Sequence, residues 1–368
     1  MKKFLILILF FFMNLTVFAE QNSIILPSQL GKVIEVQYVD IDDSQLNQVK
    51  QVAKVEILKG QNKGQVYEVD NMLTGNPYYD IPLKYKMKVI LHAEEDGGEI
   101  VYSIQDVKRS DTLLFLSLLF CGLLIYVGKK KGIYSIISIA ITVVLITHML
   151  VPLVLYGVNP ILATIVVCVL STIITMFFVG GFNAKSLSAS LGTMLSIVVA
   201  CILAFISIKT ANLTGFANEQ TLYLFAAQPQ LDFIAITIAT ILLATLGAVM
   251  DVAMSIASTI NEILEVDNDK SIKELFASGM NVGRDIIGTM ANTLILVYLG
   301  GSLPILLLAN NIDLQKFINL NQVVTEIVAA LIGSIAIVVC VPITAIVASE
   351  LIKVMHSKKN LNNITLDW

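Results

Sequence analysis

From Thr112 onward, apolar stretches of 17 or more residues recur along the chain, and no other feature limits its fold as strongly. At 1.5 Å per residue each stretch is long enough to cross a hydrocarbon core of about 30 Å. They fall near 112–128, 133–156, 159–181, 187–207, 232–258, 286–308 and 323–351, which predicts a polytopic bundle of about seven transmembrane helices. The composition agrees: of 368 residues, 56% are hydrophobic and 14% charged, where soluble domains carry about 25% charge. The formal net charge of -4 is spread over both ends and offers nothing to a nucleic acid.

The first residues have a different character. Met1-Lys2-Lys3 precedes an unbroken apolar run from Phe4 to Phe12, and Val17-Phe18-Ala19 precedes Glu20. A basic start, a short apolar run and a small residue at the cut describe a secretory signal peptide over 1–19. The alternative is an uncleaved signal anchor, and under either reading the segment that follows is exported.

That segment, 20–111, reads as a small β domain. Lys32–Tyr38, Gln51–Leu58, Val66–Val69, Met87–Ala93 and Glu99–Ile104 alternate apolar with polar residues, as half-buried strands do. Turn chemistry separates them at Gly60–Gly64 and Asp96-Gly97-Gly98. Five short strands suggest an OB-like or SH3-like barrel. Between the third and fourth, Leu73–Leu83 (LTGNPYYDIPL) is too rich in Gly and Pro for a central strand and is predicted to be a fixed loop.

Charge then orients the bundle. With the β domain outside, the first span runs inward and meets Lys129-Lys130-Lys131. Carrying the same orientation onward, the inner loops and tail hold ten basic residues (three at 129–131, then Lys185, Lys270, Lys273, Arg284, Lys353, Lys358 and Lys359), against Lys209 and Lys316 outside. This matches the positive-inside rule and predicts a cytoplasmic C-terminus. The organisation is then a first span with its basic flank at 112–131, a helical core at 132–356 and a cytoplasmic tail at 357–368. Ser207–Leu231 is partly apolar without a clear span and suits a short interfacial helix; Ile272, Leu275, Phe276 and Met280 within 261–284 suit an amphipathic helix at the inner surface.

Polar residues inside the spans are concentrated in two places. Asp251, Ser255, Ser258 and Glu262 follow i, i+4, i+7 and i+11, so one helical face carries two carboxylates and two hydroxyls; Asn281, Asp285, Gly288 and Asn292 repeat the spacing, with Arg284 and Thr289 beside them. A charge at the membrane centre costs about 2.5 to 3.5 kcal/mol on insertion scales, so it faces protein or water. Asp251 is the deepest, and Arg284, or a water reached through Ser255 and Asn292, is its expected partner. The structural reading is an ion pair with hydroxyl glue between helices; the functional reading is a site for a coupling ion or small-molecule substrate. Gly247, Ala253, Ala257, Gly283 and Gly288 permit close backbone approach there. Gly300-Gly301-Ser302-Leu303-Pro304 predicts a break in the sixth span, with Pro152 and Pro342 as kinks. His148 is a weaker candidate for proton transfer. A short echo of Gly288-Thr289-Met290 at Gly192-Thr193-Met194 only suggests an internal repeat.

Catalytic motifs are missing: there is no GxSxG, HExxH or GxxxxGK[ST], and Asp251 and Asp285 lack the setting of an intramembrane aspartic protease dyad. The four cysteines all lie in apolar runs and the three histidines are far apart, so neither a disulfide framework, a metal site nor a cofactor is expected.

The run Gly247–Glu262 (GAVMDVAMSIASTINE), followed by Glu274–Leu296 (ELFASGMNVGRDIIGTMANTLIL), resembles the signature of the YibE/F-like multispanning bacterial membrane proteins. Leu73–Leu83 resembles that family's exported loop, and Leu213-Thr214-Gly215 its outer loop. The resemblance covers nearly the whole chain after the signal. It implies a protein of the bacterial cytoplasmic membrane for which transport is supposed and no substrate is agreed. Two functions are therefore expected in competition. One is a transporter or permease with a polar site between spans five and six. The other is a non-transporting assembly or signalling factor whose β domain binds an envelope partner.

Overall fold

The computed structural model describes residues 28–40, 49–60, 62–96 and 99–365. The expected signal segment at 1–19 lies outside them. The chain forms two compact units, Met1–Leu123 and Leu124–Trp368.

Five strands, β1 (Gln29–Asp40), β2 (Val49–Ile57), β3 (Val66–Leu73), β4 (Lys88–Asp96) and β5 (Glu99–Val107), form one sheet in the order β3-β2-β1-β4-β5. The long strand β1 makes the curl. Nearly all of it pairs with β2, from Gly31↔Ile57 to Asp40↔Val49, while its first residues also pair with β4, from Gln29↔Leu91 to Lys32↔Lys88. A bulge between Val33 and Glu35 bends it. Gly31 sits at this double pairing, where a Cβ would come within 2.4 Å of Val55 Cγ1. The sheet nearly closes on itself as β3 approaches β5, with the Tyr67 and Tyr102 rings 4.5 Å apart. This order is that of an OB-like barrel. Its core follows the period of two read in the sequence: Gln51, Ala53, Val55 and Ile57 are buried on β2, with Val33, Val69, Val89 and Leu91 from the other strands.

The Leu73–Leu83 loop is fixed, as its composition predicts. The Asp80 carboxylate accepts from Thr74 N (2.7 Å), Thr74 Oγ1 (2.9 Å) and Gly75 N (2.8 Å), and Asn76 Oδ1 accepts from Tyr78 N. The far end is anchored by the fully buried Gln51, whose amide oxygen accepts from Leu83 N at 2.9 Å and from Asn71 Nδ2 at 3.0 Å. The same strand system reaches the first span, where Lys88 Nζ of β4 and Lys108 both contact the Asp111 carboxylate.

The helices are α1 (Ser110–Leu155), α2 (Pro160–Gly180), α3 (Ala184–Thr210), α4 (Glu219–Ala227), α5 (Phe233–Val266), α6 (Ile272–Gly301), α7 (Leu303–Leu308), α8 (Leu314–Ile318) and α9 (Asn321–Thr365). Six of these, α1, α2, α3, α5, α6 and α9, are long and apolar enough to cross a membrane, rather than the expected seven or so. The difference lies in one place. Spans one and two are contiguous in the 46 residues of α1, broken only at Lys129, where φ is 49° and ψ is -125°. There the backbone turns sharply: a Cβ on Gly132 would lie 2.0 Å from the Leu124 carbonyl oxygen, whereas a straight helix holds residues eight apart at about 12 Å. One non-helical residue replaces the loop that a count of apolar stretches presumes. Further along α1, Leu145–Leu150 winds as a π turn just before Pro152, whose missing N–H removes a helical bond.

The spans α2, α3, α5 and α6, and the short helix α4, each open on a side chain that caps them. Asn159, Asn183, Asn218 and Asp232 accept from first-turn N–H groups, and Ser271 with Glu274 forms a reciprocal capping box. The core is the mutual packing of α3, α5 and α9, with α6 against α5 and α9. Small residues set the approach: a Cβ on Gly192 would stand 2.2 Å from Thr344 Oγ1. Four buried hydroxyls of α3 satisfy themselves, since Ser188, Ser190, Thr193 and Ser196 each donate to the carbonyl four residues back at 2.7 to 2.9 Å, whereas the buried Ser186 hydroxyl makes no hydrogen bond. The segment expected as an inner-surface helix is divided instead: α5 runs on to Val266, and the amphipathic residues form the first turns of α6. The interfacial segment holds the nine residues of α4. The break after Gly301 is present, with α7 and α8 following, whereas α9 continues through Pro342.

Candidate functional site

The two polar stripes lie on α5 and α6, an antiparallel pair. Their relative height follows from two ties. A Cβ on Gly279 would meet Ile260 Cδ1 at 2.8 Å, and Gly333 of α9 touches both Leu294 and Thr245. Interpolation places Asp251 level with Gly288, and Ser255 level with Arg284. Asp251 stands about 27 Å along α5 from Phe233, and Arg284 about 26 Å along α6 from Gly301, so both approach the far side of a core about 30 Å thick.

The stripes occupy the open surface of this pair, not the seam within it. The seam on α6 is Leu275, Gly279, Gly283 and Leu294, all buried, and on α5 it includes Val249, Val252, Ile256 and Ile260. Asp251, Ser255 and Glu262 on α5 are exposed, Ser258 is half-buried, and Asn281, Arg284, Asp285, Thr289 and Asn292 on α6 are exposed. Their hydrogen bonds stay local. Ser255 Oγ donates to the Asp251 carbonyl (2.8 Å), Thr289 Oγ1 to the Ile286 carbonyl (2.9 Å), and Arg284 Nη1 to Asn281 Oδ1 (2.9 Å). Among the described residues no ion pair joins Asp251 to Arg284, contrary to the pairing expected from sequence. The two residues stand one helical turn apart in height, each with its charge unneutralised by the other.

A second polar locus was not singled out in the sequence. Glu326, in the second turn of α9, is the only charged residue between Asn321 and Glu350. With Tyr298 of α6 it lines two adjoining cavities, so these two side chains stand on the wall between them. One, of about 220 Å³, is apolar and bordered by α7, α8 and the ends of α6 and α9. The other, of about 300 Å³, lies under α4 and is ringed by Thr221, Thr237, Thr240, Tyr298, Thr325 and Glu326. The signal was present: one carboxylate in an otherwise apolar span is costly and marks a site by default. It was hidden by the denser stripes on α5 and α6. Among the described residues there is no cluster of three or more His, Cys, Asp or Glu that could hold a metal.

In the barrel, the Asp80 carboxyl is held below the usual carboxylate range, chiefly by the Thr74 N–H, with help from the Thr74 hydroxyl and the Gly75 N–H. This rigid loop presents Tyr78 and Tyr79 to solvent, and Tyr85 projects from the turn that follows it, each about two-thirds exposed or more.

The helical unit matches the family model for YibE/F-like proteins over residues 116–354, and the barrel matches that for the YibE/F family N-terminal domain over residues 27–107. No curated protein and no solved structure matches the chain. An N-terminal barrel of the family's own type, followed by six candidate membrane helices that carry its polar stretches, leaves one assignment: the chain is a membrane protein belonging to the YibE/F-like family.

Proposed function

We propose that this protein is a permease-like transporter of the bacterial cytoplasmic membrane, with the barrel outside, the C-terminus inside, and a polar path along the α5–α6 face. The observation that carries the reading is the state of Asp251, Arg284 and Asp285. These three charges lie on long apolar helices, at neighbouring heights, and none forms an ion pair within the described chain. At about 2.5 to 3.5 kcal/mol per charge against lipid, such a face persists only beside water or protein. A hydrated path uses all three, together with the amides Asn281 and Asn292. The break after Gly301, followed by the N–H-lacking Pro304, interrupts the helix at the other end of α6, as in the interrupted helices of transporters. A path of this kind moves its solute without covalent chemistry.

A second reading draws on Tyr78, Tyr79 and Tyr85. Exposed aromatic side chains on a rigid loop and on the turn that follows it suit a protein partner in the envelope, the bundle then serving as an anchor. One comparison separates the two. In a strain scored for the phenotype of losing this protein, Asp251→Asn is expected to insert normally and fail to complement, and removal of residues 20–111 to do less harm. Full activity of Asp251→Asn rejects the transport reading. Loss on removing the barrel, with Asp251→Asn mild, establishes the second.

A further inference from the structure

The cavity under α4 differs from the stripes in being a half-open recess lined by side chains from four helices and a loop, and its chemistry is one-sided. Thr237 Oγ1 donates to the Phe233 carbonyl at 3.0 Å, Thr240 Oγ1 to the Ile236 carbonyl at 3.0 Å, and Thr325 Oγ1 to the Asn321 carbonyl at 2.7 Å. Each hydroxyl has spent its hydrogen on its own helix and turns only lone pairs to the cavity. Thr221 does likewise, giving its hydrogen to Asn218 Oδ1 at 2.7 Å. The one charged group on the wall is the Glu326 carboxylate; no Lys, Arg or His lines the space. Among the described residues Glu326 enters no ion pair and no hydrogen bond. Only the rim amides of Asn218 and Gln220 and the Tyr298 phenol have hydrogens to offer.

A wall of acceptors around one carboxylate needs an occupant that donates and carries positive charge. About 300 Å³ is too roomy for a bare ion and reaches the lower range of small-molecule sites. The neighbouring apolar cavity beyond Tyr298 and Glu326 offers room for a hydrocarbon tail. We infer that the cavity under α4 is a binding site for a small protonated organic amine, whose ammonium group sits against Glu326 among the hydroxyls of Thr237, Thr240 and Thr325. As the substrate class of the permease it rests on the transport reading; as a binding site it stands without it.

The test uses the purified full-length protein in detergent, with thermal unfolding as the readout and propylammonium chloride as the probe. Sodium chloride, propan-1-ol and sodium propionate are the controls. Propylammonium should raise Tm saturably and the three controls should not. Glu326→Gln should weaken the response roughly tenfold or more. Thr240→Val, on a different helix, should weaken it roughly threefold and carries the test should Glu326→Gln fail to fold. An unaltered midpoint in the folded variants, an equal response to propionate, or no response to the amine overturns the site. Flux of the same amine is then measured in liposomes. Binding without flux leaves the site standing and removes amine transport, whereas Asp251-dependent activity without amine binding removes the site and leaves the transport reading intact.

Discussion

The α6–α9 contact at Gly283 can be tested by adding a single methyl group. A Cβ built there would lie 2.2 Å from Val341 Cγ1, 3.1 Å from Cγ2 and 3.2 Å from Cβ. Ordinary carbon contacts are about 3.5 to 4.0 Å, so Gly283→Ala must displace the facing methyl by more than about 1 Å. Val341 cannot swing aside, because a β-branched side chain in a helix has one strongly preferred rotamer and this one is fully buried. The helices must therefore part, and overpacking of this kind costs about 1 to 3 kcal/mol. For a unit of this size that corresponds to a fall in Tm of roughly 2 to 4 °C per kcal/mol. Val341→Ala deletes both close methyls and leaves a nearest approach of 3.2 Å, which small adjustments absorb. The double variant should then be more stable than the sum of the two single losses, by about 1 kcal/mol or more. Thermal unfolding of the four proteins in one detergent measures this. Strict additivity, or no loss in Gly283→Ala, would refute the close approach.

Two further outcomes are expected. Asp80→Ala should speed amide exchange at Thr74 and Gly75, while leaving the barrel strands protected. Because the folded pKa of Asp80 is depressed, its contribution is complete above the unfolded value of about 3.9 and disappears as pH falls through the lower folded value; exchange unaffected by both the substitution and acid would contradict the loop geometry. Separately, a cysteine placed at Lys316, within the short helix α8, should react with an impermeant thiol reagent from outside the cell, and protection there would invert the proposed orientation.

The amine cavity and the α5–α6 stripes occupy opposite ends of the same helices. Tyr298 lies three residues from the end of α6, close to Glu326, whereas Arg284 lies about four turns further along. If both serve one solute, α6 is the element that connects them, and its packing against Val341 and Ala345 of α9 is where movement would be resisted.

Much of this architecture is legible residue by residue because lipid and pleat impose simple periods. Apolar length marks the membrane helices, and alternation on Gln51–Ile57 marks a half-buried strand. Gly and Pro mark both the Leu73–Leu83 loop and the break after Gly301. The family signature sits in the same polar stretches. Other features depend on contacts between residues far apart in sequence. That Lys129 alone turns the chain, with Gly132 against Leu124, follows from a local backbone conformation that hydropathy does not encode. Spacing identifies Asp251 and Arg284 as polar faces, but not which way those faces point; the glycine seam at Gly279 and Gly283 is what turns them outward. Glu326 could be noticed in the sequence as a lone carboxylate. Its significance comes from Tyr298 and Thr237, Thr240 and Thr325, which three different helices bring around one cavity.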